Sequence, residues 1–196
     1  MRVGWSSSHG EFLIDDYYYF SRFRRIAEEE GIRVECVDSF YRLENYDVIV
    51  FNYPEVQFRL RELARMRGWL RKGKKIVFAS YYNNLDRVSE VINRALSRIN
   101  CEIRLGMDTV VDEENNTGDP RFPVAEWNGR KVVMPCSSSV NGGEPVVRSD
   151  KAVFAAAQDV YRGRVLVLGT CVFWDNYSID LLSNRELALS ILAGEF

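Results

Sequence analysis

Histidine is almost absent from this chain: His9 is the single copy in 196 residues. Any catalytic or metal-binding scheme that needs two histidines is therefore excluded. The four cysteines, Cys36, Cys101, Cys136 and Cys171, are scattered and form no CxxC pair. Structural zinc sites draw four Cys or His ligands at short spacings, so this distribution argues against one. The thiols read as buried or half-buried, with at most one unassignable disulfide. No apolar run approaches the length that spans a bilayer. No basic segment with an apolar stretch precedes the first strand-like residues, so the expected location is cytoplasmic, away from membranes. P-loop, G-x-G-x-x-G and metalloprotease motifs are all missing, and the sequence implies no cofactor and no metal. The net charge of −2 gives no overall attraction to nucleic acid. Lysine is scarce (Lys72, Lys74, Lys75, Lys131, Lys151), and arginine carries most of the positive charge. Abundant ion-pairing residues of this kind fit a thermophile-like surface.

The residues that are present alternate between two periods. Arg2–Trp5 reads as a first strand and Ile32–Val37 as a second. Asp47–Asn52 and Lys75–Ser80 are near-continuous apolar runs, as in strands buried on both faces. Between them lie helical stripes: Tyr19, Phe23, Ile26 and Ala27 within 15–30, then Val56, Leu60, Leu63, Ala64 and Leu70 within 56–72. The stripe Leu85, Val88, Val91, Ile92, Ala95, Leu96 and Ile99 follows, with Asn84 as its cap. Strands alternating with helices predict a parallel-core sheet covered on both faces. At this length the chain is expected to form one domain.

From Cys101 to Asp150 the helical period disappears. This stretch reads as a β-rich excursion with a polar loop at 112–120. Asn128-Gly129 marks a tight hairpin between 123–127 and 131–135. A second hairpin is expected around Tyr161-Arg162-Gly163. Ser183 with Glu186 reads as the capping box of a last helix.

Several ordered segments carry a family likeness. They are Asp47-Val48-Ile49-Val50, then Pro54, Phe58 and Glu62, then Trp69-Leu70-Arg71-Lys72-Gly73 before Lys75-Ile76-Val77-Phe78. Gly163-Arg164-Val165-Leu166-Val167-Leu168-Gly169, Phe173 and Asn184-Arg185-Glu186-Leu187-Ala188 complete the set. This order resembles the class I glutamine-amidotransferase-like domains without a known activity. Those include domains of gliding-motility transporter auxiliary proteins and of an intraflagellar-transport component. The resemblance implies a three-layer, flavodoxin-like α/β sheet, with antiparallel hairpins in the second half. Active amidotransferases place a cysteine on a Gly-flanked elbow after a central strand, with a downstream histidine and an acid. The matching elbow here, Phe78-Ala79-Ser80-Tyr81-Tyr82, has no cysteine or glycine, and no histidine follows it. The related domains often carry an acid after the late glycine, where this chain has Thr170 and Cys171.

Strand ends are where open α/β sheets bind ligands. Here they carry hydroxyl, amide and aromatic groups: Ser7 and His9, Asn52 and Glu55, Ser80, Tyr81 and Asn83, then Trp174 and Asp175. Such a rim suits a small polar ligand, carbohydrate or nucleoside-like, held by stacking and hydrogen bonds. Two alternatives stand beside this expectation. One is a hydrolase using His9, oriented by Glu11 or Asp15, with Ser80 or a rim carboxylate. The other is a scaffold that forms a homo-oligomer through the second-half hairpins. The basic run from Arg59 to Lys75 reads as a solvated helix face, which makes a nucleic-acid partner unlikely on sequence grounds.

Overall fold

The computed structural model describes all residues, Met1–Phe196. The elements in chain order are β1 (Arg2–Ser6), α1 (Tyr17–Glu29), β2 (Arg33–Val37), β3 (Val48–Asn52), α2 (Leu60–Arg71), β4 (Lys75–Ala79) and α3 (Val88–Arg98). The second half adds β5 (Arg104–Leu105), β6 (Val124–Trp127), β7 (Arg130–Val133), β8 (Val140–Asn141), β9 (Glu144–Arg148), β10 (Val153–Val160), β11 (Gly163–Leu168) and α4 (Asn184–Leu192). The main sheet is ordered β2-β1-β3-β4-β11-β10-β9-β6-β7, and β5 pairs with β8 separately. Strands β2 to β11 in that order run parallel, and every later pairing is antiparallel. The protein is thus mixed α/β.

The apolar runs account for the centre. All five β3 residues are buried, so this strand is covered on both faces. Fifty-eight buried residues form one hydrophobic cluster. Register brings the strand ends level: Asn52 lies opposite Ala79, and Ala79 opposite Leu168. The loops after β3, β4 and β11 therefore leave the sheet at one rim.

Local chemistry sets the boundaries. Asp16 caps α1 by accepting from the Tyr18 and Tyr19 N–H groups. The Asn128-Gly129 turn has φ of 49° and 74°, the left-handed pair that a two-residue hairpin requires, and it joins β6 to β7 as expected. The β10–β11 hairpin also forms where the sequence places it.

Three boundaries differ from the sequence reading. Helix α2 begins at Leu60, not Val56, because the His9 carbonyl accepts both the Glu55 and Val56 N–H groups. Those donors serve a bridge between loops instead of a helical turn. Helix α3 begins at Val88 after a broken stretch in which Asn83, Asn84, Asp86 and Arg87 all have positive φ. Asn84 still assists it, since its Oδ1 accepts from Glu90 N at 3.2 Å. Ser183 makes no side-chain cap to α4. The neighbouring Asn184 is the anchor: it accepts from Val133 N at 2.8 Å and donates to the Val133, Phe173 and Ser178 carbonyls. Strand β9, between β10 and β6, has no counterpart among the sequence expectations.

Candidate functional site

The centre of the strand-end rim is filled by side chains. Asn52, Ser80 and Trp174 are fully buried. Trp174 lies against Trp5 at 5.1 Å between ring centroids and stacks on Phe23 at 5.5 Å. Its indole N–H donates to the Cys171 carbonyl at 2.9 Å and to Asn52 Oδ1 at 3.3 Å. The expectation of an exposed Trp174 platform is therefore corrected: this ring is core, held by two acceptors inside the protein. Trp5 and Tyr53 are buried as well, whereas Tyr17, Tyr18 and Tyr177 are exposed.

His9 is also corrected, from an open rim group to an internal clasp. It is 4% exposed. Its Nε2 lies 3.1 Å from Glu62 Oε2, and its Nδ1 lies 2.8 Å from Ser8 Oγ. Phe58 covers the ring at 4.3 Å, and Phe40 and Phe51 close the surroundings. Glu11 and Asp15 do not orient the imidazole. Glu11 accepts from the His9 backbone N–H at 2.6 Å, and Asp15 pairs with Arg24. Glu62 itself accepts from Arg59 N at 2.6 Å and caps α2. Ser80 Oγ is 2.8 Å from Ser89 Oγ, so the two members of the expected hydrolase pair are engaged with other partners. An activated serine needs a base within hydrogen-bond reach, and this one has only another hydroxyl.

The remaining sequence candidates are spread around this filled centre. Ser7 is half-buried, its hydroxyl against the Cys36 thiol. Tyr81 is half-buried near Cys136, and its phenol is pushed up first by burial. Burial likewise pushes the fully enclosed Cys171 thiol far up, which leaves it inert. Asp175 is 6% exposed and accepts from the Tyr177 and Ser178 N–H groups, each at 2.9 Å. Burial raises its carboxyl despite those bonds.

Glu55 points to the part of the rim that stays open, and Asn83 is exposed in the loop after β4 that borders it. A cavity of about 510 Å³ lies between the loops after β3 and β4, lined by Glu55, Asp86, Arg87, Glu90, Arg94 and Met107 among others. The backbone on its β4 side is unusual: Asn83, Asn84, Asp86 and Arg87 are all left-handed, with φ of 53°, 49°, 51° and 63°. Tyr53 is left-handed too, at φ 69°, and its hydroxyl donates to Asp86 Oδ2 at 2.7 Å. Arg87 is tied to Glu90 at 2.7 Å, and that pairing lowers the Glu90 carboxyl. Arg94 and Glu55 make no ion pair, so one free cation and one free anion face the same space. Sequence reasoning missed Asp86, Arg87 and Arg94 here. The available signal was Asn83-Asn84, since asparagine is the non-glycine residue most tolerant of left-handed backbone.

Two buried polar atoms near this rim have no partner: Asn52 Nδ2 and Glu11 Oε1. They sit in segments that touch, since Phe12 N, in the loop after β1, donates to the carbonyl of Asn52 at the end of β3 at 3.0 Å.

The Domain of unknown function (DUF4350) profile matches residues 20–192. The chain belongs to this family. An uncharacterized protein of Aquifex aeolicus (strain VF5) is 37% identical over 225 residues, covering 98% of this chain and 93% of that one. The mmIFT52 N-terminal domain superposes on this DUF4350 chain with a TM-score of 0.80 at 13% identity, covering 100% of it and 97% of the other. A cytoplasmic protein from Salmonella typhimurium LT2 gives 0.64 at 11% identity, covering 99% of each chain. A polyextremophilic beta-galactosidase from the haloarchaeon Halorubrum lacusprofundi gives 0.64 at 15% identity, over 98% of this chain but 30% of that one. These likenesses concern the fold alone. No helix of the DUF4350 chain is long and apolar enough to cross a membrane.

Proposed function

We propose that this chain is a non-catalytic binding domain on a three-layer, flavodoxin-like and amidotransferase-like scaffold. It binds a small polar ligand, carbohydrate or nucleoside-like, in the cavity between the β3 and β4 loops. The observation that carries this reading is the left-handed run Asn83, Asn84, Asp86 and Arg87. Such backbone costs free energy, persists only where surrounding contacts impose it, and gathers at ligand sites. Here it lies at a strand carboxyl end, and two of its residues, Asp86 and Arg87, line a cavity with free Glu55 and Arg94 groups. The non-catalytic part rests on side-chain partners: His9 is committed to Glu62, Ser80 to Ser89, and Cys171 is fully enclosed.

Thermal-shift screening against sugars, nucleosides and amino acids tests the reading. A hit that weakens in Glu55→Gln and Arg94→Ala, with the melting point of the free variants preserved, supports it. Silence across the whole library, with the protein folded, removes it.

One observation favours a second reading, association with another copy. Phe12, Leu13, Tyr17, Tyr18, Tyr19 and Tyr177 are exposed, and several touch one another, with Tyr18 and Tyr177 hydroxyls 2.6 Å apart. The hairpins expected to form such a surface carry only Tyr161 among the large exposed apolar residues. Any self-association then uses the α1 face, and sedimentation of Tyr18→Ser against the unmodified chain decides it.

A further inference from the structure

Helix α2 has a groove on its outer face that the rim reading does not use. Tyr41, Glu44, Arg61, Ala64, Arg65, Gly68, Trp69 and Lys72 line a cavity of about 630 Å³, within the size range of small-molecule sites. Three features of this groove lack an internal explanation.

The first is Gly68. It stands in the interior of α2, where glycine is the most costly residue after proline. Its φ is not left-handed, and a Cβ placed on it would meet nothing within 4 Å. Neither conformation nor packing within the chain asks for glycine. The open space above it leaves room for close approach by something outside the chain.

The second is Trp69. The side chain is 1% exposed, and its indole N–H has no acceptor. A buried donor without a partner is costly, and it is satisfied when a bound group supplies an acceptor.

The third is charge. Arg61, Arg65 and Lys72 recur at helical spacing on the face that carries Gly68. Glu44 is the one carboxylate in the lining, and it pairs with Arg65 at 3.1 Å. Three cations against one anion leave an excess of two positive charges. A phosphate monoester carries about −1.5 to −2 at pH 7. Tyr41 offers an exposed ring, with the Arg65 guanidinium 5.4 Å from its centroid.

We propose that this groove binds a small organic phosphate with a flat ring, of the nucleoside monophosphate class. The Arg61–Arg65–Lys72 row neutralises the phosphate and the body lies over the bare backbone at Gly68, where its seating opens the enclosed Trp69 indole N–H to an acceptor on the ligand. This site is independent of the rim site, and either stands if the other fails.

The test uses the full chain labelled with ¹⁵N, with the Trp69 indole signal assigned through Trp69→Phe. Adenosine monophosphate, adenosine and inorganic phosphate are titrated separately at low salt. The expected result is a saturable shift of the Trp69 signal with the monophosphate, and binding at least about tenfold weaker for adenosine or phosphate alone. Arg61→Ala and Lys72→Ala are each expected to weaken monophosphate binding about fivefold or more. Gly68→Ala gives the sharpest reading: its melting point rises, because alanine suits a helix better, while monophosphate binding falls about tenfold. Three outcomes overturn the proposal. One is an unmoved Trp69 signal at about 10 mM monophosphate. Another is inorganic phosphate binding as tightly as the monophosphate, which marks a charged surface only. The last is a Gly68→Ala chain that is more stable and binds unchanged.

Discussion

His9 Nε2 and Glu62 Oε2 share a buried contact of 3.1 Å, and through it the loop after β1 is bolted to the first turn of α2. Glu62 uses the same oxygen to cap the helix at Arg59 N. The His9 carbonyl adds two bonds to Glu55 and Val56. One residue thus ties the loop after β1 both to the loop after β3 and to the first turn of α2.

Removing that bolt is expected to cost stability. His9→Ala leaves Glu62 buried without its ring partner and opens space among Phe40, Phe51 and Phe58. A loss of about 3 kcal/mol is expected, the range for breaking one side of a buried polar pair. Urea unfolding of the variant measures it. A loss below about 0.5 kcal/mol would place His9 outside the stability framework and revive a chemical role.

Asp175 gives a pH signature. Burial raises its carboxyl above the ordinary 3.8 in the folded chain. Between the two values the folded state holds a proton that the unfolded state has released. This group's contribution is therefore complete below the unfolded value and is lost as pH rises through the folded one. Asp175→Asn keeps an oxygen for the Tyr177 and Ser178 N–H groups and never ionises. Its melting point relative to the unmodified chain is expected to climb as pH goes from about 3.5 to about 7. A flat or falling difference over that range contradicts a buried, destabilised carboxylate.

The sheet was readable because its signals are local. Val48–Asn52 and Lys75–Ala79 announce themselves by uninterrupted apolar residues, and Asn128-Gly129 by backbone that few other residues adopt. The rim was not readable to the same degree. Whether Trp174 faces solvent depends on Trp5 and Phe23, far away in sequence. The start of α2 depends on a carbonyl at His9, some fifty positions earlier. Residue type at a strand end suggests polarity, but tertiary contacts decide whether that polarity is presented or consumed. At Ser80 and His9 it is consumed by buried partners, and at Asn52 it is enclosed with Nδ2 unpaired.

The left-handed run after β4 is testable through Asn83, which is exposed, with φ 53°. Its N–H donates to the Asp108 carbonyl, a bond that any residue but proline keeps. Asn83→Gly is expected to match or slightly exceed the unmodified chain in stability. Asn83→Ala is expected to lose about 1 kcal/mol, because alanine pays the left-handed penalty. Equal stability in the two variants would show that this backbone relaxes freely and that the cavity wall is not imposed by its surroundings.

Asn52 separates stability from binding most directly. Its Nδ2 is buried without an acceptor, and its Oδ1 receives the longer of the two Trp174 indole bonds, 3.3 Å against 2.9 Å. Leucine has a similar size and shape and removes the unsatisfied donor, while Trp174 keeps the Cys171 carbonyl. Replacing a buried, poorly satisfied amide by an apolar group of like shape is nearly neutral or stabilising. Asn52→Leu is therefore expected to lie within about 1 kcal/mol of the unmodified chain in urea unfolding. Asn52 is enclosed and lies outside the lining of the rim cavity, so the same variant is expected to leave any ligand bound there unchanged, as judged by calorimetry. A large loss of stability would show instead that the long Trp174 bond to Asn52 Oδ1 holds the centre of the rim together.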